Sequence, residues 1–267
     1  MARVIEGAPI LQEIKTQVSA HVQTLKAAGV SPCLCVVMLG DNPASAAYVR
    51  GKEKDCAQVG IESTLHHLPA HTTQQELLAL INTLNEDPAV HGVLVQLPLP
   101  AHMDEAVVLN AVSPSKDVDG FTPYNMGRLF LGQPAFVPCT ARGVVDMLKW
   151  AGTEIAGKHC VVIGRSNIVG KPLAVLLSAE NGTVTLCHSK TQNLKAITNM
   201  ADILVCAVGN AGFITADMVK PGAVVVDVGI TRGEDGKLHG DVDFDAVSGV
   251  AGAITPVPGG VGLLTRG

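Results

Sequence analysis

The sequence predicts an α/β fold made of two parallel-sheet domains with a cleft between them. Short apolar runs, such as residues 33–39 and 90–97, alternate with segments of helical periodicity, and this alternation is typical of parallel sheets. The alternation stops between residues 113 and 138 and then begins again. Because a long polar segment inside a compact chain commonly joins domains, we expect two domains and not one.

Residues 1–120 are predicted to form the first domain. A capping-box pattern, Thr73-x-x-Glu76, marks the start of one helix, since each side chain can satisfy a free backbone N–H group there. Apolar periodicity and turn residues predict the other elements as helix 9–28, strand 33–39, helix 43–59, strand 61–68, strand 90–97 and helix 104–112.

Residues 121–139 are predicted to be a linker, and residues 140–254 are predicted to form the second domain. Thr140 is expected to cap a helix that reaches about Trp150. Buried strands follow near residues 161–164, 183–187, 203–207 and 223–228. Residues 255–267 hold too much Pro and Gly for a regular element, so we expect a rigid loop that returns to the cleft.

Composition and charge argue against several classes of protein. The net charge is −5 without a run of Lys and Arg, which disfavours a nucleic-acid partner. No long apolar segment predicts a signal peptide or a membrane span. The seven cysteines lack a C-x-x-C pair, which indicates reduced thiols in a cytoplasmic protein. His66, His67 and His71 have no Cys or carboxylate at zinc-site spacing, so we expect no metal site.

A glycine turn opens the second domain. An apolar run ends at Gly164, a polar turn follows, and a helical pattern begins at Gly170. Such a strand–turn–helix junction directs free N–H groups and a helix dipole at one point, which suits a phosphate. Ser166 replaces the middle glycine of the dinucleotide fingerprint G-x-G-x-x-G, so a purely structural junction remains the alternative for this stretch alone.

The residues around this turn favour NADP over NAD. An NAD site commonly has an acid after the second strand, whereas this strand is followed by His188, Ser189 and Lys190. Arg165 lies in the turn, together with Ile168, and a guanidinium suits the 2′-phosphate of NADP. We therefore predict a Rossmann-type, NADP-binding domain.

Two further strand ends carry small turns that a dinucleotide could approach. Gly209 follows the third strand and is expected beneath the pyrophosphate. Ile230 follows the fourth strand, where a nicotinamide ring would lie. Each turn alone is equally typical of a tight structural connection, but together they predict a binding crevice.

Four residues of the first domain predict a binding site for a flat heteroaromatic substrate. Tyr48 and Lys52 are four apart on one helix and face the same way. Gln96 interrupts an apolar strand, where a buried amide needs a partner such as Lys52 or a ligand. Asp119 lies in a polar turn and could accept hydrogen bonds from ring N–H groups. Tyr-x-x-x-Lys also suggests a short-chain dehydrogenase, but here it precedes the glycine turn by over a hundred residues.

These motifs resemble the bifunctional methylenetetrahydrofolate dehydrogenase/methenyltetrahydrofolate cyclohydrolase family, in order and over nearly the whole chain. The matching segments are Tyr-Val-Arg-Gly-Lys at 48–52, Gln-Leu-Pro-Leu-Pro at 96–100, Lys-Asp-Val-Asp-Gly-Phe at 116–121, Gly-Arg-Ser-Asn-Ile-Val-Gly-Lys-Pro at 164–172 and Ile-Thr-Pro-Val-Pro-Gly-Gly-Val-Gly at 254–262.

The resemblance implies two reactions on tetrahydrofolate derivatives. NADP takes hydride from 5,10-methylenetetrahydrofolate, and water then converts the methenyl product to 10-formyltetrahydrofolate. By the family pattern, Lys52 is the essential hydrolytic residue, Gln96 positions it, Tyr48 stacks on the folate and Asp119 holds the pterin. The resemblance also implies a homodimer and a folate-facing side that includes Leu97, Pro258, Gly259 and Gly262.

The chain departs from the family pattern at several positions. Ala141 and Leu263-Leu264 replace a Pro and a Pro-Met pair. The family also continues with a C-terminal helix that packs on the first domain, whereas this sequence ends at Gly267. Two other functions remain open at this point: a dehydrogenase without the hydrolytic step, and a non-catalytic module that binds NADP or folate.

The role given to Arg165 is testable by substitution. Arg165→Ala should raise the KM for NADP far more than the KM for NAD, because only NADP carries the 2′-phosphate. Steady-state kinetics with both cofactors measure this difference. An equal loss for the two cofactors would contradict the assignment.

Overall fold

The computed structural model of the chain describes residues 1–266, apart from the side chain of Ala44. These residues form two compact units. One unit contains Glu13–Val137 with Arg266, and the other contains Met1–Gln12 with Pro138–Thr265. Both units are built on parallel sheets, so the predicted α/β class with two parallel-sheet units is confirmed.

The first unit has a parallel sheet made of β2 (Cys33–Leu39), β3 (Glu62–Leu68) and β4 (Gly92–Val95), in the order β3-β2-β4. The central strand, β2, pairs along its whole length with β3 and over residues 34–37 with β4. It is buried from Cys35 onward, as expected for a strand covered on both faces.

Helices follow the strands of this first sheet. The capping box predicted at Thr73 is confirmed, because its hydroxyl accepts from the Glu76 N–H and the Glu76 carboxylate accepts from the Thr73 N–H. The helices are α1 (Gly7–Ala27), α2 (Pro43–Val59), α3 (Gln74–Glu86), α4 (Glu105–Ala111) and α5 (Pro123–Phe130). Helix α1 precedes the strands, and its residues up to Gln12 are counted with the other unit.

Helix α5 lies in the segment that has no periodic signal in the sequence. Thr122 caps it by accepting a hydrogen bond from the Asn125 N–H, and Pro123 occupies the first turn. The helix is short, and it was missed because its exposed apolar residues, Tyr124 and Phe130, do not form a clear stripe.

The second unit has a parallel sheet made of β1 (Arg3–Val4), β5 (His159–Ile163), β6 (Thr183–Cys187), β7 (Ile203–Cys206), β8 (Val224–Asp227) and β11 (Ala253–Ile254). Their order across the sheet is β1-β11-β8-β7-β5-β6. When β5 is numbered 1 and the following strands of the sheet 2 to 5, the order read from β6 is 2-1-3-4-5, the doubly wound pattern, whose switch point lies between β5 and β7.

A small antiparallel pair and several helices complete this unit. The pair is β9 (Thr231–Arg232) with β10 (Leu238–His239). The helices are α6 (Cys139–Trp150), α7 (Gly170–Ala179), α8 (Leu194–Thr198), α9 (Phe244–Ser248) and α10 (Val261–Leu264).

Three details differ from the sequence-based expectations. Thr140 does not cap α6, since the cap position is Pro138 and the Thr140 hydroxyl bonds instead to the Thr265 hydroxyl at 3.1 Å. The loop predicted from residue 255 contains the short helix α10, whose Leu264 packs tightly on Gly143. Residues 1–12 group with the second unit because β1 pairs with β11.

The glycine turn is packed too closely for side chains at its two ends. Gly164 has φ 121°, and a Cβ there would lie 2.3 Å from the Ala207 carbonyl oxygen. A Cβ on Gly170 would lie 1.9 Å from the Gly164 carbonyl oxygen. These two glycines are six residues apart, one more than the outer glycines of G-x-G-x-x-G. The turn is therefore a longer variant of that fingerprint.

Gly170→Ala should lower the free energy of unfolding by about 3 kcal/mol or more, because the added methyl collides with backbone. Gly127→Ala is the matched control, since nothing lies within 4 Å of a Cβ there. The control should raise the free energy of unfolding by about 0.5–1 kcal/mol, because alanine favours a helix interior. Urea unfolding measures both, and an equal effect of the two substitutions would contradict the role of close packing at Gly170.

Candidate active site

Helix α2 presents Tyr48 and Lys52 on the same face of the first unit. Both side chains are half-buried. Lys52 Nζ lies 3.5 Å from the Gln96 amide oxygen, at the carboxyl end of β4. Burial raises the pKa of Tyr48, and the positive charge of Arg266 opposes that shift. An aromatic ring and a cation therefore stand one helical turn apart beside a sheet edge.

The Gln96 amide has a defined orientation. Its nitrogen donates to the Leu97 carbonyl oxygen at 2.8 Å, so its oxygen is the atom that faces Lys52. The backbone N–H of Gln96 donates to the Val37 carbonyl oxygen and continues the ladder for one residue past Val95. Gln96 therefore lies just beyond the strand and is half-buried, not enclosed within a buried strand as its apolar neighbours suggested.

Asp119 lies in a turn that starts beside β4. Asp117 forms an isolated parallel bridge with Val93, and the Gly120 N–H donates to the Asp117 carbonyl oxygen at 3.0 Å, which closes the turn around Asp119. Burial raises the pKa of Asp119, the nearby charge of Lys52 opposes the shift, and Asp117 adds to it. Tyr48, Lys52, Gln96 and Asp119 thus gather at one edge of the first sheet.

Asp117 and Asn125 support this cluster, although sequence reasoning missed both. The buried Asp117 carboxylate accepts hydrogen bonds from the N–H groups of Phe121 and Thr122 and from the Asn125 amide at 3.0 Å. Gly120 completes the turn with φ 67°, and a Cβ there would lie 2.6 Å from the Phe136 carbonyl oxygen. The pattern of Asp, Gly, Thr and Asn in residues 117–125 was the available signal.

The second unit places its predicted cofactor residues along one sheet edge. Strands β6, β5, β7 and β8 are parallel neighbours, so their carboxyl ends share this edge. The residues that follow them include Gly164, Arg165, Ser166, Ile168, Ser189, Gly209 and Ile230. This edge holds the switch point of the sheet, where doubly wound folds bind their ligands.

Ser166 takes the place of a fingerprint glycine through its hydroxyl. Its Oγ accepts from the Val169 N–H at 3.1 Å and the Gly170 N–H at 3.4 Å. These are among the backbone groups that a helix start leaves unpaired. The side chain thereby stabilises the turn at the start of α7. The sequence pattern predicted free N–H groups at this junction, but these two are already paired within the chain.

Several side chains at this edge are exposed, and the apolar ones among them are of types that folding usually buries. The apolar residues Ile168, Val208 and Ile230 are exposed, and so are Arg165 and Ser189. Around Gly209, with φ 68°, nothing lies within 4 Å of a Cβ position. Apolar surface, an open glycine and a guanidinium fit a dinucleotide with an additional phosphate.

Two buried carboxylates lie beneath this edge, and sequence reasoning also missed them. Asp227 ends β8 and accepts from the N–H groups of Gly229, Asp241 and Val242, each at 2.9 Å. Burial raises the pKa of Asp227 to about 6, and the neighbouring Asp241 adds to the shift. In the sequence, the Asp after the apolar run 224–226 and the two Asp of residues 239–243 carry no sign of whether they are buried or exposed.

The segment from residue 255 is tied to the start of the chain. The Gly7 N–H donates to the Gly259 carbonyl oxygen at 2.8 Å, and a Cβ on Gly7 would lie 2.3 Å from the Gly260 carbonyl oxygen. Pro258 and Gly259 therefore lie in a braced turn, whereas Gly262 lies within α10.

The structure thus gathers Tyr48, Lys52, Gln96 and Asp119 in the first unit and the predicted cofactor residues along one sheet edge of the second. Pro258, Gly259 and Gly262, which were predicted to face the folate, belong to the second unit and lie after β11. Within residues 1–266, no group of three or more His, Cys, Asp and Glu side chains is arranged to hold a metal ion. No helix in that range has the length and apolar character needed to cross a membrane.

Comparison with known proteins identifies matches to both units. Residues 5–119 match the catalytic domain of tetrahydrofolate dehydrogenase/cyclohydrolase, and residues 138–267 match its NAD(P)-binding domain. The Bifunctional protein FolD of Geobacillus thermodenitrificans is 57% identical over 264 residues, which cover 99% of this chain and 93% of that protein.

Solved structures agree over the whole length. The bifunctional FolD methylenetetrahydrofolate dehydrogenase/cyclohydrolase of Campylobacter jejuni is 48% identical with a TM-score of 0.97, and the match covers 100% of this chain and 95% of that one. The Trypanosoma brucei enzyme, solved with NADP and an inhibitor, is 39% identical with a TM-score of 0.94, covering 99% and 93%.

The raised pKa of Asp227 predicts a pH-dependent stability. Asp227 has a pKa of about 6 in the folded protein and of about 4 in the unfolded chain, so between about pH 4 and 6 only the folded protein keeps the proton. Its contribution to the free energy of unfolding is therefore present at low pH and is lost as the pH rises through about 6. Asp227→Asn should lower the free energy of unfolding at both pH values, and this decrease should be about 2 kcal/mol smaller at pH 7 than at pH 4.5. Urea unfolding at both pH values tests this, with the exposed Asp243→Asn as control. A cost for Asp227→Asn that does not change with pH would contradict it.

Proposed function

The chain belongs to the tetrahydrofolate dehydrogenase/cyclohydrolase family, and we propose that it catalyses both of the reactions for which that family is named. In the first, 5,10-methylenetetrahydrofolate gives hydride to NADP⁺, forming 5,10-methenyltetrahydrofolate and NADPH. In the second, water adds to the methenyl carbon and the ring opens to 10-formyltetrahydrofolate with release of a proton. The observation that carries the hydrolytic half is the contact between Lys52 and Gln96.

The hydride step depends mainly on positioning. The nitrogen lone pairs beside the one-carbon bridge stabilise the cation that forms, so the step needs no strong acid. We assign the cofactor to the edge of the second sheet, where bound NADP would supply the hydride acceptor. The exposed Arg165 guanidinium would pair with its 2′-phosphate. The residues assigned to cofactor binding are Gly164, Arg165, Ser166, Ile168, Ser189, Gly209 and Ile230.

The hydrolytic step is assigned to the cluster on the first sheet. Lys52 handles the attacking water, and Gln96 keeps the Lys52 side chain in place because its own amide is fixed by the Leu97 carbonyl. Tyr48 stacks on the folate, and the Asp119 carboxylate accepts from the N–H groups of the pterin. Leu97, Pro258, Gly259 and Gly262 complete the residues assigned to folate binding.

We further propose a homodimer in the cytoplasm. Each cysteine among the described residues is a free thiol, which supports a reducing compartment. Light scattering coupled to gel filtration tests the dimer, since a monomer and a dimer of a 27.6 kDa chain differ twofold in mass.

One spectroscopic assay tests both activities. Methenyltetrahydrofolate absorbs light and should accumulate from methylenetetrahydrofolate with NADP, then disappear as it is hydrolysed. With NAD in place of NADP the first phase should be much slower. Accumulation without enzymatic disappearance would identify a dehydrogenase only, and the absence of both phases would indicate a binding module.

Lys52→Met should abolish the hydrolysis of methenyltetrahydrofolate, because it removes the nitrogen that handles water while keeping a side chain of similar length. NADP and folate should still bind, as measured by titration. Lys54→Met is the matched control, since Lys54 is exposed on the same helix and lies two residues away. Normal hydrolysis by Lys52→Met, or an equal loss in Lys54→Met, would refute the role given to Lys52.

A further inference from the structure

The Asp241 side chain binds the turn after β7 from the interior of the protein. Its carboxylate is fully buried and accepts from the successive N–H groups of Val208, Gly209 and Asn210 at 2.6, 3.1 and 2.7 Å. Hydrogen bonds from N–H groups to a charged acceptor are stronger than those between neutral groups. The conformation of this turn is therefore tied to the position of one carboxylate.

The hydrogen bonds to Asp241 decide which face of the turn a ligand can meet. Successive N–H groups in a turn commonly form a concavity that binds an anion, such as a phosphate. Here the anion is Asp241, so these N–H groups point into the protein. The outer face offers the exposed Val208 side chain and the open Gly209. A ligand on this face therefore contacts the apolar Val208 side chain and the Gly209 backbone.

Asp227 in turn fixes Asp241. One Asp227 oxygen accepts from the Asp241 N–H and the Gly229 N–H, and Gly229 lies immediately before Ile230. A Cβ on Gly229 would lie 2.2 Å from the Asp241 carboxyl carbon, so the two segments are in close contact. The turns after β7 and β8 are thus joined through two carboxylates.

We propose that Asp241 is a positioning residue for the dinucleotide. Its hydrogen bonds fix the turn 207–210 in the position where the outer face of Gly209 packs against the cofactor. Asp227 positions Asp241 and, through Gly229, the turn that carries Ile230. This inference rests on the proposed function for the identity of the ligand as NADP. It assigns the turn a van der Waals surface and no hydrogen bonds to the cofactor phosphates.

Asp241→Asn is the first test, because the amide matches the carboxylate in shape but turns one acceptor into a donor facing a backbone N–H. The KM for NADP in the dehydrogenase assay should rise at least tenfold. The hydrolysis of methenyltetrahydrofolate, assayed without cofactor, should stay within twofold of the wild-type rate. Asp243→Ala is the matched control, since Asp243 lies two residues away and caps α9 through the Ala246 N–H. Both activities of the control should stay within twofold.

Gly209→Ala is the second test and keeps both carboxylates. The added methyl enters open space on the outer face, and the positive φ of 68° adds backbone strain without a collision, so the variant should fold. Its NADP affinity, measured by NADPH fluorescence titration, should fall at least tenfold. Gly152→Ala, which has the same φ of 68° and open space after α6, carries the same strain and should bind NADP normally. Unchanged NADP binding in Gly209→Ala would overturn the inference even if Asp241→Asn did not fold. Equal loss of both activities in Asp241→Asn would also overturn it, since that indicates a general structural role. If the wild type fails to use NADP, the proposed function itself is wrong.

Discussion

The turns beside both proposed functional edges contain backbone N–H groups that no sheet pairs, and the way these groups are satisfied shapes each edge. In the first unit Asp117 accepts from the turn that follows Asp119. In the second, Asp241 and Asp227 accept from the turns after β7 and β8. Buried carboxylates are costly unless such hydrogen bonds compensate them, so each turn and its carboxylate depend on one another.

This constraint separates residues that touch ligands from those that support them. In the proposed mechanism, Lys52, Gln96 and Asp119 act on the one-carbon unit and the pterin. In the same proposal, the edge of the second sheet would receive the cofactor through glycines, exposed apolar side chains and Arg165. Hydride transfer and hydrolysis need different assistance, the first mainly alignment and the second a proton-handling group. A division of residues between two sheet edges suits that difference.

Much of the fold was predictable from the sequence, because β2, α2 and the capping box at Thr73 carry strong local signals. It was also predictable that Gln96 needs a partner, since its neighbours form a buried strand, but not whether Lys52 or a ligand supplies it. Helix α5 was not predictable, because its apolar residues form no clear stripe. The failure of Thr140 as a cap was not predictable either, because its hydroxyl bonds instead to the distant Thr265. The carboxylates of Asp117, Asp227 and Asp241 were missed for a related reason. Their role depends on which distant N–H groups the fold brings to them, and a single sequence does not record this.

The central claim is that Lys52 and Gln96 act as one hydrolytic unit, and a double-mutant cycle tests it most directly. Gln96→Ala is compared in the wild-type and Lys52→Arg backgrounds by the rate of methenyltetrahydrofolate hydrolysis. We predict at least a tenfold loss in the wild-type background and less than a twofold loss in Lys52→Arg. A guanidinium stays protonated and cannot take a proton from water, so its position relative to Gln96 no longer affects the rate. Equal losses in both backgrounds would show that Gln96 acts independently of Lys52 and would contradict the claim.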